Sequence, residues 1–118
     1  MKILIFAAHP DDEVLGMGGT MKKLSKSGND LKIIFMSTGI LSRRNIESQR
    51  FSQVFTDEWM EKNEKKIKSL RHDAKKSGKI LGVDKIEFMD FPDNEMDTIS
   101  TLVVAKNIEN SIKEFKPN

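Results

Sequence analysis

The sequence contains no cysteine. That removes disulfides and every thiolate metal site, and it makes no case for an exported, cross-linked fold. It also lacks an excess of either charge, with 20 Lys and Arg against 18 Asp and Glu. So near a balance does not predict nucleic-acid binding. The lysines are spread rather than striped, apart from Lys62 to Lys68, which reads as a wet helix face. No apolar run is long enough to span a bilayer, so no transmembrane segment is expected. The amino terminus opens directly into a strand, without the charged, apolar and cleavage regions of a signal peptide. Internal repeats and low-complexity segments are absent as well. A cytoplasmic protein of one small domain is the expectation for 118 residues.

What is present alternates strand and helix. Lys2 to Ala8 is short, apolar and β-branched, and reads as a buried strand. Glu13 to Ser27 has helical spacing, with Val14, Leu15, Met17, Met21 and Leu24 on its inward side and Gly28-Asn29-Asp30 as its stop. Leu31 to Met36 is the second strand, and Ser37-Thr38-Gly39 closes it. Strand, helix, strand with short joints is a parallel crossover unit. The segment 40–62 reads as an inserted loop with a short helix over the carboxyl edge of the sheet. Phe55 and Trp59 there suit a small satellite core, and Arg43 and Arg44 are loop charges. Glu61 to Leu81 is a helix with Ile67, Leu70, Ala74, Ile80 and Leu81 facing inward, stopped by Gly82. Lys85 to Met89 is the third strand, Asp90 to Glu95 a loop, and Ile99 to Phe115 a third helix burying Leu102, Val103, Ile108, Ile112 and Phe115. The expected fold is α/β, a three-layer α/β/α Rossmann-like parallel sheet. Lys116-Pro117-Asn118 leads toward a fourth strand that is not in the sequence, so residues 1–118 read as the amino-terminal part of a single longer domain. The uncovered sheet edge makes an oligomer plausible.

The chemistry concentrates in Ala8-His9-Pro10-Asp11-Asp12-Glu13, on the turn leaving the first strand. Open α/β sheets bind ligands at the carboxyl ends of their strands. Two carboxylates in the middle of a sheet repel unless solvated or neutralised by a cation. One imidazole nitrogen of His9 and one carboxylate oxygen of Asp12 reach a common point from that turn, and both suit Zn2+. Pro10 stiffens the pair by fixing one backbone angle. Asp11 is then left beside the metal, placed to take a proton from bound water. A catalytic zinc takes three protein ligands and an open position, and this turn supplies two.

These residues, followed by Gly16-Met17-Gly18-Gly19, resemble the signature of the LmbE-like, or PIG-L-type, de-N-acetylases. Ser37-Thr38-Gly39, Arg71 to Val83 and Phe88 to Met96 extend the resemblance along most of the chain. The resemblance implies a zinc-dependent hydrolase that removes acetyl from an N-acetylglucosamine-type sugar or conjugate. It implies His9 and Asp12 as zinc ligands and Asp11 as general base. Arg71 and Asp93 are implied as substrate contacts, Asp93 alternatively standing behind the ligands. The family draws its third ligand and a second histidine from a His-x-x-His segment that has no counterpart here. The remaining histidine, His72, lies mid-helix and reads as exposed. As given, the chain is expected to be inactive or nearly so.

Plainer readings stand beside these. Asp12 or Glu13 suits a helix cap. Gly16, Gly18 and Gly19 do not have dinucleotide-binding spacing, and close packing of the first helix on the sheet accounts for them. Asp90 and Asp93 are turn formers around Pro92. A receiver-type phosphoacceptor domain also carries an acidic pair after its first strand, and there Asp90 would be the phosphoacceptor. His9-Pro10 before the pair and the late position of Asp90 count against it.

Overall fold

The computed structural model describes residues 1–40 and 57–118, and side chains from residue 61 onward in the second part. Three parallel strands form one sheet: β1 (Lys2–Ala7), β2 (Asp30–Ser37) and β3 (Lys85–Phe91). Their spatial order is β1-β2-β3. The helices described are α1 (Asp12–Lys26), α2 (Asp57–Leu81) and α3 (Thr101–Phe115), with a 3-10 turn, Met96–Thr98, before α3. Ile3, Ile5 and Ala7 point to the face that carries Met21 of α1 and Ala74 of α2. Lys32, one residue out of that phase, meets Glu114 of α3 on the other face. The result is the expected three-layer α/β/α fold.

Among the three described strands β2 is the middle one. Leu31, Ile33, Ile34 and Phe35 are buried on both faces, as suits a strand covered on each side by helices. The first strand lies at an edge, and Phe6 is exposed. On that edge Asn118 meets Lys2 through two hydrogen bonds, one accepted by its side-chain oxygen and one donated by its backbone N–H. Phe35 and Phe88 stack across β2 and β3, with ring centroids 5.3 Å apart.

Helix faces differ from the sequence reading in three places. Val14 and Leu15 were expected inward but are exposed, because α1 breaks at Met17, whose φ of −147° is not helical. The buried stripe of α1 is Glu13, Gly18 and Met21. Of the three glycines, Gly18 alone is packed; nothing lies near a Cβ added at Gly16 or Gly19, so close packing does not account for those two. In α2, Ile67 and Ala74 are buried as expected, but Ile80 is 72% exposed. At about 100° per residue it sits roughly 140° around the axis from Ile67. The helix also starts at Asp57 rather than Glu61, taking residues 57–62 from the expected insertion. Arg43, Arg44 and Phe55 lie outside the described residues, as does the side chain of Trp59. In α3 the inward side chains are Ser111 and Phe115, whereas Leu102, Val103 and Ile112 are exposed.

Candidate functional site

The turn after β1 is tied together by its own side chains. Asp12 donates its N–H to the His9 carbonyl at 3.2 Å, closing a tight turn around Pro10 and Asp11. The Asp12 carboxylate turns back and accepts the His9 N–H at 3.0 Å. The buried carboxylate of Glu13 accepts the Asp11 N–H at 2.9 Å. Neither acid therefore caps α1. The N-cap is Asp11, which makes no side-chain capping bond, and its carbonyl accepts from Val14 and Leu15. Asp11 stands at φ +122°, where an L residue is strained. Strain of that kind costs about 1–3 kcal/mol and collects at functional sites. Its side chain is left facing solvent at the mouth of the site.

Beside the turn is an open depression of about 450 Å³, lined among others by His9, Asp11, Asp12, Leu15, Thr38 and Leu70. His9 Nδ1 and Asp12 Oδ2 are 3.7 Å apart on its wall. That separation is below the sum of two zinc–ligand bonds of about 2.0–2.2 Å each, so one cation fits between them. The donor pair, imidazole nitrogen with carboxylate oxygen, has the chemistry Zn2+ takes. Among the described residues no group of three or more His, Asp or Glu side chains converges. The pair by itself offers two donors.

The other side of His9 faces inward. Its Nε2 is 3.2 Å from Oδ1 of Asp93, whose side chain is fully buried. Thr38 Oγ1 donates to Asp93 Oδ2 at 2.8 Å, and the Gly39 N–H donates to Oδ1 at 2.9 Å. The loop after β3 is thereby fastened to the end of β2, with His9 between them. Gly39, at φ +77°, lies beside His9: a Cβ there would stand 3.1 Å from His9 Cβ and 3.3 Å from Cγ. The sequence reading placed Asp93 either on the substrate or behind the ligands; its burial behind His9 is the geometry found. Thr38 and Glu13 were not singled out as site residues. The resemblance carried by Ser37-Thr38-Gly39, with a glycine directly after the strand end, pointed to Thr38's neighbourhood.

Arg71 is not on the wall of this depression. Its guanidinium pairs with Asp90 at the end of β3 and lies over the Phe88 ring, 5.1 Å from its centroid. His72 is exposed on α2. The strand order disposes of the receiver reading. Asp12 follows β1, whereas Asp90, expected in a loop, lies near the end of β3; the whole of β2 runs between those strands, which puts them about 10 Å apart at the usual strand spacing. Asp90 is moreover held by Arg71.

With that geometry in place, comparison with known proteins is informative. Residues 4–118 match the PIG-L family, described as GlcNAc-PI de-N-acetylase. The chain belongs to this family. A diacetylchitobiose deacetylase of Thermococcus kodakarensis is 34% identical over 116 residues, which is 98% of this chain and 38% of that protein. The N,N'-diacetylchitobiose deacetylase of Pyrococcus horikoshii, solved with an inhibitor, superposes with a TM-score of 0.74 at 27% identity, covering 98% of this chain and 38% of that one. A 4-carboxy-2-hydroxymuconate hydratase from Pseudomonas putida has the same fold, with a TM-score of 0.70 at 22% identity over 98% of this chain and 44% of that one. The chain therefore spans about two fifths of the length of its relatives. The family's architecture is shared by proteins named for different reactions, so the reaction has to be argued from the site.

Proposed function

We propose that this chain carries the amino-terminal half-site of a zinc-dependent de-N-acetylase acting on an N-acetylglucosamine-type sugar or conjugate. The observation that carries the reading is the pairing of His9 Nδ1 and Asp12 Oδ2 at 3.7 Å, with the exposed, strained Asp11 on the same turn. Membership of the PIG-L family and 34% identity to a protein named as a diacetylchitobiose deacetylase support it.

In this reading His9 and Asp12 hold the cation, and the third donor comes from residues outside those described. When bound, the cation makes hydroxide available near neutral pH and polarises the acetyl carbonyl. The chain's own residues do the rest. Asp11 accepts the proton of the attacking water, since its carboxylate is the acid of the turn left without a backbone partner among the bonds that tie it. Glu13 holds Asp11 in place through the backbone, and Pro10 restricts the turn. Leu15 and Leu70 give the depression an apolar side against which a sugar face can rest. Arg71, whose guanidinium has five donors, borders the same end of the sheet and offers a hydroxyl or carbonyl contact beside its pair with Asp90.

Acetate release from N-acetylglucosamine conjugates, measured on the protein spanning its relatives' length, tests the reading. Asp11→Asn is expected to lower turnover by about 10²- to 10⁴-fold with the fold intact. Unchanged turnover in a folded, zinc-loaded Asp11→Asn protein removes Asp11 from its role. Loss of activity to a chelator, restored by Zn2+ and not by Mg2+, checks the metal.

A further inference from the structure

We propose that Asp93 is a positioning residue for the cation site: it takes the Nε2–H of His9 and so leaves Nδ1 as the bare nitrogen facing Asp12. The inference deepens the reading above and rests on it for the cation alone. A neutral imidazole carries one N–H and one lone pair. A carboxylate oxygen 3.2 Å from Nε2 is attracted to an N–H and repelled by a lone pair, so the hydrogen belongs on Nε2. Asp93 is anchored through both carboxylate oxygens. Thr38 holds one of its oxygens and Gly39 the other, and the side chain is fully buried. Gly39 stands close beside His9, leaving no room for a Cβ between them. Asp93 comes from the loop after β3, more than 80 residues downstream of His9, so the bond also couples the state of that loop to the site. Ligand histidines whose second nitrogen is held by a carboxylate keep one tautomer and one orientation.

The test uses the 118-residue chain, ¹⁵N-labelled, whose two histidines make the spectrum simple. His9 is expected to give an observable ring N–H on Nε2, slowed in exchange by its buried partner. The exposed His72 ring is expected to give none. Asp93→Ala is expected to lose the His9 ring proton and to raise the dissociation constant for Zn2+ by about 10- to 100-fold in a titration followed on the same signals. Asp93→Asn keeps an accepting oxygen, and the Thr38 hydroxyl can rotate to accept from its amide. It is expected to retain the proton and most of the affinity, and it decides the matter should Asp93→Ala not fold. A wild-type spectrum with no His9 Nε2–H, or with the proton on Nδ1, overturns the proposal while leaving His9 and Asp12 as a cation pair. A ring proton in place without any zinc uptake sinks the cation reading and leaves Asp93 as the holder of His9. A folded Asp93→Ala chain that binds zinc as the wild type does overturns the positioning role.

Discussion

Asp11 and Gly39 are the two residues at which backbone conformation and site chemistry meet. Asp11 is held at φ +122° and Gly39 at φ +77°. Glycine reaches the first of these without a Cβ clash, whereas alanine keeps the clash. In urea denaturation Asp11→Gly is therefore expected to be more stable than Asp11→Ala by about 1–2 kcal/mol. Equal midpoints for the two would mean that the turn stores no strain. The converse holds at Gly39. Gly39→Ala is expected to lose about 1–2 kcal/mol from its positive φ. Its new methyl would also press on His9. The same denaturation curve reads the loss, and zinc titration reads the displaced ring. The His-Pro-Asp-Asp pattern was legible at this scale because it is local: four neighbours on one turn. The partners of those residues were legible only in part: the resemblance named Asp93 with two alternative places, and Thr38 was not singled out, since both reach His9 only after the chain has folded.

At the scale of elements, apolar spacing located the helices and strands but did not choose among stripes. Ile80 and the stripe of Leu102, Val103 and Ile112 are as apolar and as well spaced as the residues that are buried, yet they are exposed. The choice rests with close approach. Gly78 of α2 lies against β3 and the turn before it: a Cβ there would stand 2.7 Å from the Val83 carbonyl, a backbone atom that cannot yield. Gly78→Ala is expected to destabilise by about 1–3 kcal/mol although alanine favours the helix, because overpacking outweighs propensity. Ile80→Ser, two residues away in sequence but 72% exposed, is expected within about 0.5 kcal/mol of wild type. If Ile80→Ser proves the costlier of the two in thermal unfolding, α2 is rotated from the orientation described.

At the scale of the whole molecule, the order β1-β2-β3 sets what can meet what. It puts the acidic turn at the sheet edge beside β2, within reach of Thr38 and the Asp93 loop, and it keeps Asp90 a strand away. Ligands of open α/β sheets sit at the carboxyl ends of the strands, where this turn lies. A cation bound there stabilises the folded chain by mass action, about 2.7 kcal/mol at a hundred times its dissociation constant. Saturating Zn2+ is therefore expected to raise the unfolding temperature of the wild type and leave His9→Ala unmoved. An equal rise in both places the ion elsewhere. Among the described residues no helix is long and apolar enough to cross a membrane, in keeping with the absence of any such run in the sequence.

The sequence by itself determined the alternation of strands and helices, the α/β class and the cluster of donors on the first turn, because each depends on neighbours or on a fixed period along the chain. Only the tertiary structure decided that β2 is the central strand, that Leu15 and Ile80 face outward, and that a buried carboxylate from the third strand's loop stands behind His9. Those outcomes depend on which surfaces approach closely enough to exclude water, and contacts between residues far apart in the chain leave no periodic trace in it.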